Sequence, residues 1–466
     1  MGSVKVRTAP ILYLFVWNVI RWGLSLFFHQ IEVRHGQNIP TSGPTIFVAN
    51  HPNSTMDGLI LTTLTRRLVH YIGHAGLFSN RAKAWFLQSC GLIPVHRCPR
   101  EEDKRKVNVE AFQSCFQVLE KGGAISIFPE GISAEARHIH KLKTGTARIV
   151  LEAERRNNYK LGVQLIPIGL HFFSRSRFRS KVLVNIGQPL KLEPYFVLND
   201  KHNIKAVKDL TGEIQKRLED LTVNVPHPEL EQVVKNLEIV YRDELLKEVK
   251  ADKKSPSSGV MAFVISQKMA ECCAYYHEHQ PHRVRHTEKM LHDYLRKLKR
   301  FRLKDVMIRE KTSLGQLLKI EIVNIGKTVV GFPLAAYGLI NNYLPYRLTE
   351  QITKKYIHDR TKILTALFIG GGFSFMVFHV LQTLAVWYFA GILWSLIYYV
   401  SLPLSGFFTL TYTRWIREER ERISFSFYLF TKRHLIGKMR LARRELIDEL
   451  DAIKNEYLEI METASG

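Results

Sequence analysis

Residues 45–58 of the chain read TIFVANHPNSTMDG. Residues 45–49 are all apolar or β-branched, which is typical of a buried strand. His51 follows this strand closely, and Asp57 comes six residues later, where a helix is predicted to begin. A neutral histidine can take a proton from a hydroxyl group, and a nearby carboxylate can orient the ring and stabilise its charged form. The stretch therefore predicts a strand, a short loop and a helix that together present a general base.

Strands and helices alternate along the chain on both sides of this stretch. The predicted strands lie at residues 45–49, 91–95, 124–128, 163–170 and 181–186, and the predicted helices at 58–68, 105–120 and 142–155. This alternation indicates an α/β domain, which we place at residues 31–226, in which a sheet is flanked by helices. Such sheets place their ligands at the carboxyl ends of the strands, where His51 lies.

Three further motifs accompany the predicted strands. They read GLIPVHR at residues 91–97, FPEGIS at 128–133 and LIPIG at 165–169. Arg97 can bind a phosphate through two parallel hydrogen bonds, although a plain surface arginine is the commoner explanation. Glu130 follows a hydrophobic strand, and Gly131 permits close approach of a ligand to the backbone; an ordinary strand-to-loop turn would look the same. The last motif alone predicts only a buried strand with a proline at an edge or a bulge.

No nucleophilic side chain accompanies His51 in these motifs. The sequence lacks G-x-S-x-G, the signature of a nucleophilic serine, and its five cysteines form no C-x-x-C pair. A base without a protein nucleophile suits direct transfer, in which the acceptor's own hydroxyl attacks an activated acyl group. His138 and His140 stand two residues apart in a polar loop, which is a poor arrangement for zinc, so we expect no metal site.

The four motifs, in this order, resemble those of the phosphate-acyltransferase superfamily of glycerolipid synthesis. Its PlsC-like members carry a His/Asp motif, a G-x-I-P-V-x-R motif, an F-P-E-G motif and a V/I-P-V/I motif, and the resemblance covers about residues 40–190. Residues 128–133 and the segment LKTGTAR at 142–148 look closest to the glycerol-3-phosphate/dihydroxyacetone-phosphate acyltransferase branch known from fungi and some bacteria.

The spacing of His51 and Asp57 departs from the commonest form of the first motif. That form has four residues between the two, whereas five intervene here, and the favoured branch is similar in carrying the extra residue. Six steps along a continuous helix rotate by about 240°, so the two side chains would not share one face. The pairing therefore predicts a loop at His51–Pro52, with Asp57 entering the helix.

The resemblance implies a role for each matching residue. His51 would deprotonate the acceptor hydroxyl, and Asp57 would orient His51. The donor and co-substrate would be an acyl thioester, either acyl-CoA or acyl-carrier protein, with no further cofactor. The acceptor and its phosphate would be bound by Arg97, Glu130, Gly131, Ser133 and Lys143, and the acyl or CoA channel would be lined by Pro94, Ile166 and Pro167. The implied reaction is O-acyl transfer to glycerol 3-phosphate or dihydroxyacetone phosphate, and 1-acylglycerol 3-phosphate (lysophosphatidate) is the alternative acceptor.

A long apolar stretch lies towards the carboxyl end of the chain. Residues 363–413 contain no Asp, Glu, Lys or Arg, which is enough for two bilayer crossings of about 20 residues each. We predict a transmembrane hairpin with a turn near Gln382–Thr383; a pair of buried core helices is the alternative. Basic residues precede and follow the stretch, which predicts that both hairpin ends and the catalytic domain face the cytoplasm. The membrane would be the endoplasmic reticulum in a eukaryote and the inner membrane in a bacterium.

The remaining segments complete the predicted organisation. We expect a membrane-interfacial segment at residues 1–30, a basic helical region at 227–312 with a linker near 251–259, an apolar interfacial or re-entrant segment at 313–350, and a charged helical region at 414–466. The apolar parts at 8–28 and 328–345 either span the membrane or lie on it.

The charge balance indicates an anionic partner. The chain has 67 Lys plus Arg against 43 Asp plus Glu, a formal net charge of +24. Anionic lipid, a phosphorylated substrate or nucleic acid would each satisfy such an excess. Because the basic residues flank apolar segments and no nucleic-acid motif is present, we expect a bilayer with anionic lipids and no nucleic acid. A non-catalytic membrane scaffold is the alternative outside the enzymes, and it predicts that His51→Ala leaves function intact.

Overall fold

A computed structural model describes residues 10–95, 101–175, 177–250, 258–309 and 314–465 of the chain. These residues divide into two compact units. The first comprises residues 1–228 and 357–368, and the second comprises 229–356 and 369–466. His51 and the three motifs that accompany it all belong to the first unit.

The first unit is built from alternating strands and helices. Its strands are β1 (Gln30–Arg34), β2 (Thr45–Ala49), β3 (Val69–His74), β4 (Leu92–Val95), β5 (Ala124–Ile127), β6 (Gln164–Phe172) and β7 (Lys181–Ile186). Its helices are α1 (Pro10–Phe27), α2 (Thr55–Thr62), α3 (Arg81–Ser89), α4 (Glu101–Glu120), α5 (Gly145–Arg156) and α6 (Glu193–Asp220). The predicted α/β class, a sheet flanked by helices, is confirmed.

The strands form one seven-stranded sheet in the order β1-β7-β6-β2-β5-β3-β4. The five strands from β6 to β4 are parallel to one another, and β7 runs antiparallel to β6 while pairing in parallel with β1. Strand β2 lies between β5 and β6, so the carboxyl ends of three neighbouring strands meet beside His51. Two strands, β1 and β3, were not predicted. β3 reads VHYIGH, where two histidines and a glycine obscure the apolar pattern of a strand.

Side chains alternate between the two faces of β2 and pack into two hydrophobic clusters. Ile46 and Val48 belong to the cluster that also takes in side chains of α4, α5 and α6. Phe47 and Ala49 belong to the other, which takes in side chains of α1 and α2. All four are at most 3% exposed, and full burial of a large apolar side chain contributes about 1.5–3 kcal/mol. The strand that carries His51 is therefore held rigidly on both faces.

Two predicted helices of the first unit have different bounds. The helix predicted at 58–68 begins earlier, at Thr55, and ends at Thr62, and the helix predicted at 142–155 begins at Gly145. Pro167 was predicted at an edge or a bulge, and β6 is not an edge strand, because it lies between β2 and β7. The antiparallel pairing shifts by one residue across Pro167, from Ile168 with Ile186 to Leu165 with Leu190, which is the pattern of a bulge.

Helix α1 has one face in the core and the other outside it. Tyr13, Trp17, Leu24 and Phe27 are buried, and Ile11, Phe15, Val19 and Trp22 are at least half exposed. The indole Nε1 of Trp17 donates hydrogen bonds to the carbonyl oxygens of Thr62 (3.0 Å) and Thr65 (2.9 Å), which lie at and just beyond the end of α2. An exposed apolar face is what the predicted interfacial segment requires, and that assignment stays a prediction.

The second unit is helical in the residues described. Its helices are α7 (Glu231–Val240), α8 (Arg242–Lys250), α9 (Ser258–His279), α10 (Pro281–Arg300), α11 (Asp305–Arg309), α12 (Leu314–Tyr356), α13 (Arg360–Thr431, which begins in the first unit) and α14 (Arg433–Ser465). The linker predicted near 251–259 falls largely outside the described residues, since α9 begins at Ser258. Arg443 of α14 pairs with Asp305 at 2.8 Å and with Glu244 at 2.8 Å, which satisfies a nearly buried guanidinium.

Among the described residues, two helices are long and apolar enough to cross a membrane, at Val323–Tyr356 and Arg360–Thr431. They indicate that the chain associates with a membrane. The predicted hairpin turn near Gln382–Thr383 was wrong: the backbone leaves the helical conformation at Gly391, with φ 80° and ψ 177°. Glycine adopts such angles without steric cost, whereas Gln382 stays helical and donates to the carbonyl oxygen of Asn341 at 3.0 Å.

Candidate active site

The end of β2 is fastened to β6 by the residue that precedes His51. The amide of Asn50 donates to the carbonyl oxygen of Leu170 at 3.1 Å and accepts from the N–H of Leu170 at 2.7 Å. These two bonds prolong the contact between neighbouring parallel strands beyond the last paired residue. The loop that carries His51 therefore begins at a residue that is hydrogen-bonded to β6.

His51 and Asp57 form a hydrogen-bonded pair. Nδ1 of His51 lies 2.9 Å from Oδ2 of Asp57, which also accepts the backbone N–H of Asn53 at 2.8 Å. The Asp57 side chain has no exposed surface, whereas the side chain of His51 is 19% exposed. Burial raises the pKa of Asp57 above its ordinary value, and the hydrogen bond from His51 opposes that rise. With Nδ1 engaged by the carboxylate, Nε2 is the nitrogen that can take a proton from a bound hydroxyl.

A strained loop residue accommodates the five-residue spacing. Ser54, immediately before α2, has φ 49° and ψ −131°, a combination that non-glycine residues rarely adopt. The turn at Ser54 lets α2 begin at Thr55 and brings Asp57, in its first turn, back against His51. The loop that the sequence predicted for this pairing is present, and Ser54 is its residue with a strained backbone.

The strain at Ser54 leads to a stability prediction. We expect Ser54→Gly to raise the free energy of unfolding by about 1 kcal/mol. Relief of the backbone strain at this residue is worth about 1–3 kcal/mol, and the greater conformational entropy that glycine loses on folding offsets part of it. The Ser54 side chain makes no capping hydrogen bond that the change would remove. Ser54→Val should lower stability, since a β-branched residue fits this conformation worse. Thermal unfolding of both variants checks the ranking, and a lower midpoint for Ser54→Gly would contradict it.

Phe128 holds the imidazole from the neighbouring strand. Its ring stacks on that of His51 with centroids 4.0 Å apart and planes 16° from parallel. Phe128 follows β5, the strand beside β2. It belongs to the third motif, from which no role was predicted for it. An aromatic residue at the end of the strand next to the base was the only signal available.

Glu130 contacts the backbone of His51, and its predicted role at the acceptor site stays a prediction. Oε1 accepts the backbone N–H of His51 at 3.0 Å, and Oε2 accepts the backbone N–H of His140 at 3.2 Å. The residue is 7% exposed, and its burial raises the pKa of the carboxyl group. Since the N–H of Ala134 also donates to the carbonyl oxygen of His51 at 3.2 Å, this loop holds the base by its backbone on both sides.

Replacement of Glu130 tests this supporting role. We expect Glu130→Gln to lower turnover about tenfold and stability by about 1–3 kcal/mol, because an amide can accept only one of the two backbone N–H groups and leaves the other without an acceptor. Glu135→Gln, five residues later in the same loop, is the control, since that side chain is exposed and makes only a 3.7 Å ion pair with Arg360. Equal turnover in the two variants would show that Glu130 is not needed to hold His51.

Gly131 and Lys143 lie against each other. Gly131 has φ 68°, and a Cβ atom at this position would overlap Nζ of Lys143. The N–H of Lys143 donates to the carbonyl oxygen of Pro129 at 2.9 Å, and its side chain is exposed. The structure thus brings the ammonium group of Lys143 to the loop that contacts His51. Ser133 lies in the same loop and is half-buried.

Arg175 is a basic residue of this site that was not predicted from the sequence. It lies just beyond β6, donates through Nη1 to the carbonyl oxygen of Glu135, and is close enough to Asp57 to act on it electrostatically. Its charge helps to hold down the pKa of Asp57, although burial outweighs that influence. The sequence signal was a basic residue shortly after the strand of the fourth motif, and such residues are too common at surfaces to be singled out.

Four predicted site residues remain. Arg97 falls outside the described residues. Pro94 lies on the edge strand β4, which β5 and β3 separate from β2. Ile166 is 0% exposed and Pro167 is buried, so both pack in the core, and the channel role predicted for them stays a prediction.

Comparison with known proteins gives consistent matches to acyltransferases. Residues 30–171 match the family model described as Acyltransferase. Glycerol-3-phosphate O-acyltransferase 2 of Saccharomyces cerevisiae is 27% identical over 224 residues, which is 48% of this chain and 28% of the yeast protein. The chloroplastic 1-acyl-sn-glycerol-3-phosphate acyltransferase LPAT1 of Arabidopsis thaliana is 27% identical over 145 residues, which is 31% of this chain and 36% of the plant protein.

The chain is also similar to solved structures. The 1-acyl-sn-glycerophosphate (LPA) acyltransferase PlsC from Thermotoga maritima has 20% identity and a TM-score of 0.33, over 47% of this chain and 85% of that chain. The matched region spans less than half the length of each curated relative named above. The resemblance inferred from the four motifs is confirmed at the level of the family. Residues 30–171, which hold the His51–Asp57 pair, are thus similar to the acyltransferase family.

Proposed function

We propose that this chain is an O-acyltransferase that moves an acyl group from an acyl thioester to a hydroxyl of glycerol 3-phosphate or dihydroxyacetone phosphate. The observation that carries the proposal is the His51–Asp57 pair at the end of β2, joined at 2.9 Å. The sequence lacks the G-x-S-x-G motif of a nucleophilic serine. A base of this kind serves an external hydroxyl.

The proposed reaction is a direct transfer. Nε2 of His51 takes the proton of the acceptor hydroxyl while that oxygen attacks the thioester carbonyl. The tetrahedral intermediate collapses, the C–S bond breaks, and the leaving thiolate takes the proton from the imidazolium. Asp57 accepts a hydrogen bond from the Nδ1–H group throughout, which fixes the tautomer and stabilises the imidazolium. Phe128 restricts the ring of His51 and Glu130 restricts its backbone, so His51 loses little conformational entropy when it reaches the reactive geometry.

The basic residues around His51 support an anionic acceptor. The structure places the exposed ammonium group of Lys143 over Gly131 and the guanidinium group of Arg175 near Asp57. Arg97 lies in the motif whose family resemblance implies phosphate binding. Together they would bind the acceptor phosphate and orient its hydroxyl towards Nε2.

Lysophosphatidate is the second candidate acceptor. The matched relatives include one named for glycerol 3-phosphate and one named for 1-acyl-sn-glycerol 3-phosphate. Both acceptors present a hydroxyl and a phosphate, so the same pair and the same cations would serve either. They differ because lysophosphatidate already carries an acyl chain, for which the protein must also provide a binding surface.

An acceptor panel tests the proposal. The full chain, purified in detergent with anionic lipid, is given acyl-CoA or acyl-carrier protein, and thiol release is followed with glycerol 3-phosphate, dihydroxyacetone phosphate, lysophosphatidate and lysophosphatidylcholine. We expect fastest release with glycerol 3-phosphate or dihydroxyacetone phosphate. Faster release with lysophosphatidate would favour the second candidate. A lack of acceptor-dependent release across the panel would refute acyl transfer.

The cellular setting is part of the same proposal. Two helices with the length and composition of membrane spans suit an enzyme whose product is a lipid. Basic residues flank residues 363–413 on both sides, which supports a catalytic unit on the cytoplasmic face beside anionic lipids.

A further inference from the structure

The first turns of α13 are built into the catalytic unit. Residues 357–368 group with residues 1–228, far from them in sequence. Leu364 is 0% exposed and packs in the same cluster as Met56 of α2 and Phe27 of α1. The ring of Phe368 meets that of Phe27 edge to face, with centroids 5.4 Å apart. The start of this long apolar helix is thus part of the core beneath His51.

Thr365 makes a polar contact within this apolar setting. Its hydroxyl oxygen accepts the backbone N–H of Met56 at 3.1 Å, across 309 positions of sequence. Met56 lies in the first turn of α2, where backbone N–H groups have no partner inside the helix. The same N–H also lies 3.1 Å from the carbonyl oxygen of Asn53, so the two acceptors share one donor. Thr365 therefore acts on the first turn of the helix that carries Asp57.

Helix α2 depends on such outside contacts. It has only eight residues, and the residue before it, Ser54, makes no side-chain capping bond. An isolated helix of this length is unstable in water, so tertiary contacts must hold it. Asp57 follows Met56 directly, and its Oδ2 has to meet both Nδ1 of His51 and the N–H of Asn53. A shift of the first turn would lengthen both bonds together.

We propose that Thr365 is a positioning residue, by which the start of helix α13 fixes the first turn of α2 and so the placement of Asp57 against His51. The inference rests on the proposed acyl transfer for its effect on turnover. It links the start of the long apolar helix α13 to the geometry of the catalytic pair. Its consequence is that the catalytic unit is incomplete without residues 360–368.

Three variants separate this role from general packing. Thr365→Val keeps the shape of the side chain and removes the hydroxyl, while Thr365→Ser keeps the hydroxyl and removes the methyl group. Thr361→Val is the matched control, because the Thr361 hydroxyl, one turn earlier on the same helix, bonds only locally to Asp359 at 2.7 Å. Each full-length variant is compared with wild type in turnover, in KM, in its pH profile and in hydrogen–deuterium exchange of a peptide that contains Met56.

We expect Thr365→Val to lower kcat by about threefold to tenfold, because the loss of one hydrogen bond worth about 0.5–1.5 kcal/mol allows a decrease of that size. KM should change less than about twofold. The acidic limb of its pH–kcat profile should move to lower pH, because a displaced Asp57 stabilises the imidazolium less. Exchange at the Met56 peptide should rise by a similar factor. Thr365→Ser should restore all three quantities to within about twofold of wild type, and Thr361→Val should not change them.

The outcomes that overturn the proposal are distinct from those that overturn the function. Wild-type exchange at the Met56 peptide in Thr365→Val would refute the positioning role, whatever the activity. An equal loss in Thr361→Val, or no recovery in Thr365→Ser, would also refute it, because the effect would then come from packing. If wild type transfers no acyl group to any acceptor, the proposed function fails, and the exchange measurement still decides whether Thr365 holds α2.

Discussion

His51→Ala should lower kcat for acyl transfer by about 10²–10⁴-fold, which is the usual contribution of a positioned general base. The substitution removes Nε2, the atom proposed to take the acceptor's proton, and it removes Nδ1, the hydrogen-bond partner of Asp57. The change in KM should be smaller, because the proposed phosphate ligands are other residues. The measurement is the steady-state rate of thiol release with a saturating acceptor.

The control for this variant is His292→Ala. His292 lies on α10 with its side chain 66% exposed, and its nearest acidic contact is 3.9 Å away. Turnover in the control should stay within about twofold of wild type, as is usual for exposed positions. A His51→Ala enzyme that retains a tenth or more of wild-type turnover would show that His51 is not the base.

Asp57→Asn should lower kcat by about 10²-fold or more while leaving the fold intact. The amide is nearly the same size as the carboxylate, but it carries no charge to stabilise the imidazolium, and its NH₂ group can hold His51 in the wrong tautomer. The KM for acceptor should change little, since Asp57 has no exposed surface that could touch the acceptor. Turnover equal to wild type would contradict the role of Asp57 as the group that orients His51.

The Asp57→Asn variant should also be more stable than wild type, although it turns over more slowly. Burial raises the pKa of Asp57 above its ordinary value of 3.8, so the folded protein holds this proton more tightly than the unfolded chain. The contribution of Asp57 to stability is therefore greatest at low pH and falls as pH rises from about 4 through the folded pKa. The amide of the Asp57→Asn variant does not titrate, so the unfolding midpoint of the variant should rise relative to wild type over that window.

Thermal unfolding between about pH 4 and pH 7 measures this difference. A midpoint difference that falls with pH would mean that pairing with His51 outweighs burial and that the folded pKa of Asp57 lies below its ordinary value. The combination of a large loss in kcat and a pH-dependent gain in stability is a signature of a buried carboxylate retained for its function.

Sequence patterns predicted site residues whose partners are close in sequence, and they missed those whose partners are far away in sequence. His51 and Asp57 lie six residues apart, and the loop between them followed from helical geometry alone. Phe128 and Arg175 reach the site because β5 and β6 flank β2, an arrangement that no local pattern encodes. Thr365 contacts Met56 across 309 positions, and a threonine at the start of an apolar helix carries no signal of that contact.

Two polar residues make contacts that their sequence context did not reveal. Glu130 was predicted at the acceptor site because it follows a strand in a glycine-containing turn, and its oxygens accept the backbone N–H groups of His51 and His140. Gln382–Thr383 was expected to form the hairpin turn because it is the polar interruption of an apolar stretch, yet Gln382 finds a partner in Asn341 and the chain turns at Gly391. In both cases a polar side chain satisfied a buried backbone group, so its polarity did not mark exposure.

The most direct test of the proposed acyl transfer is to identify the product by mass spectrometry. Purified full chain is incubated with an acyl thioester and ¹³C-labelled glycerol 3-phosphate, and the labelled species are analysed with wild type and with His51→Ala. We predict that wild type forms a labelled acyl ester of glycerol phosphate, one acyl group per thiol released, and that His51→Ala forms almost none. Thiol release with free fatty acid as the only acyl product, or equal ester formation by the two proteins, would contradict direct transfer by the His51–Asp57 pair.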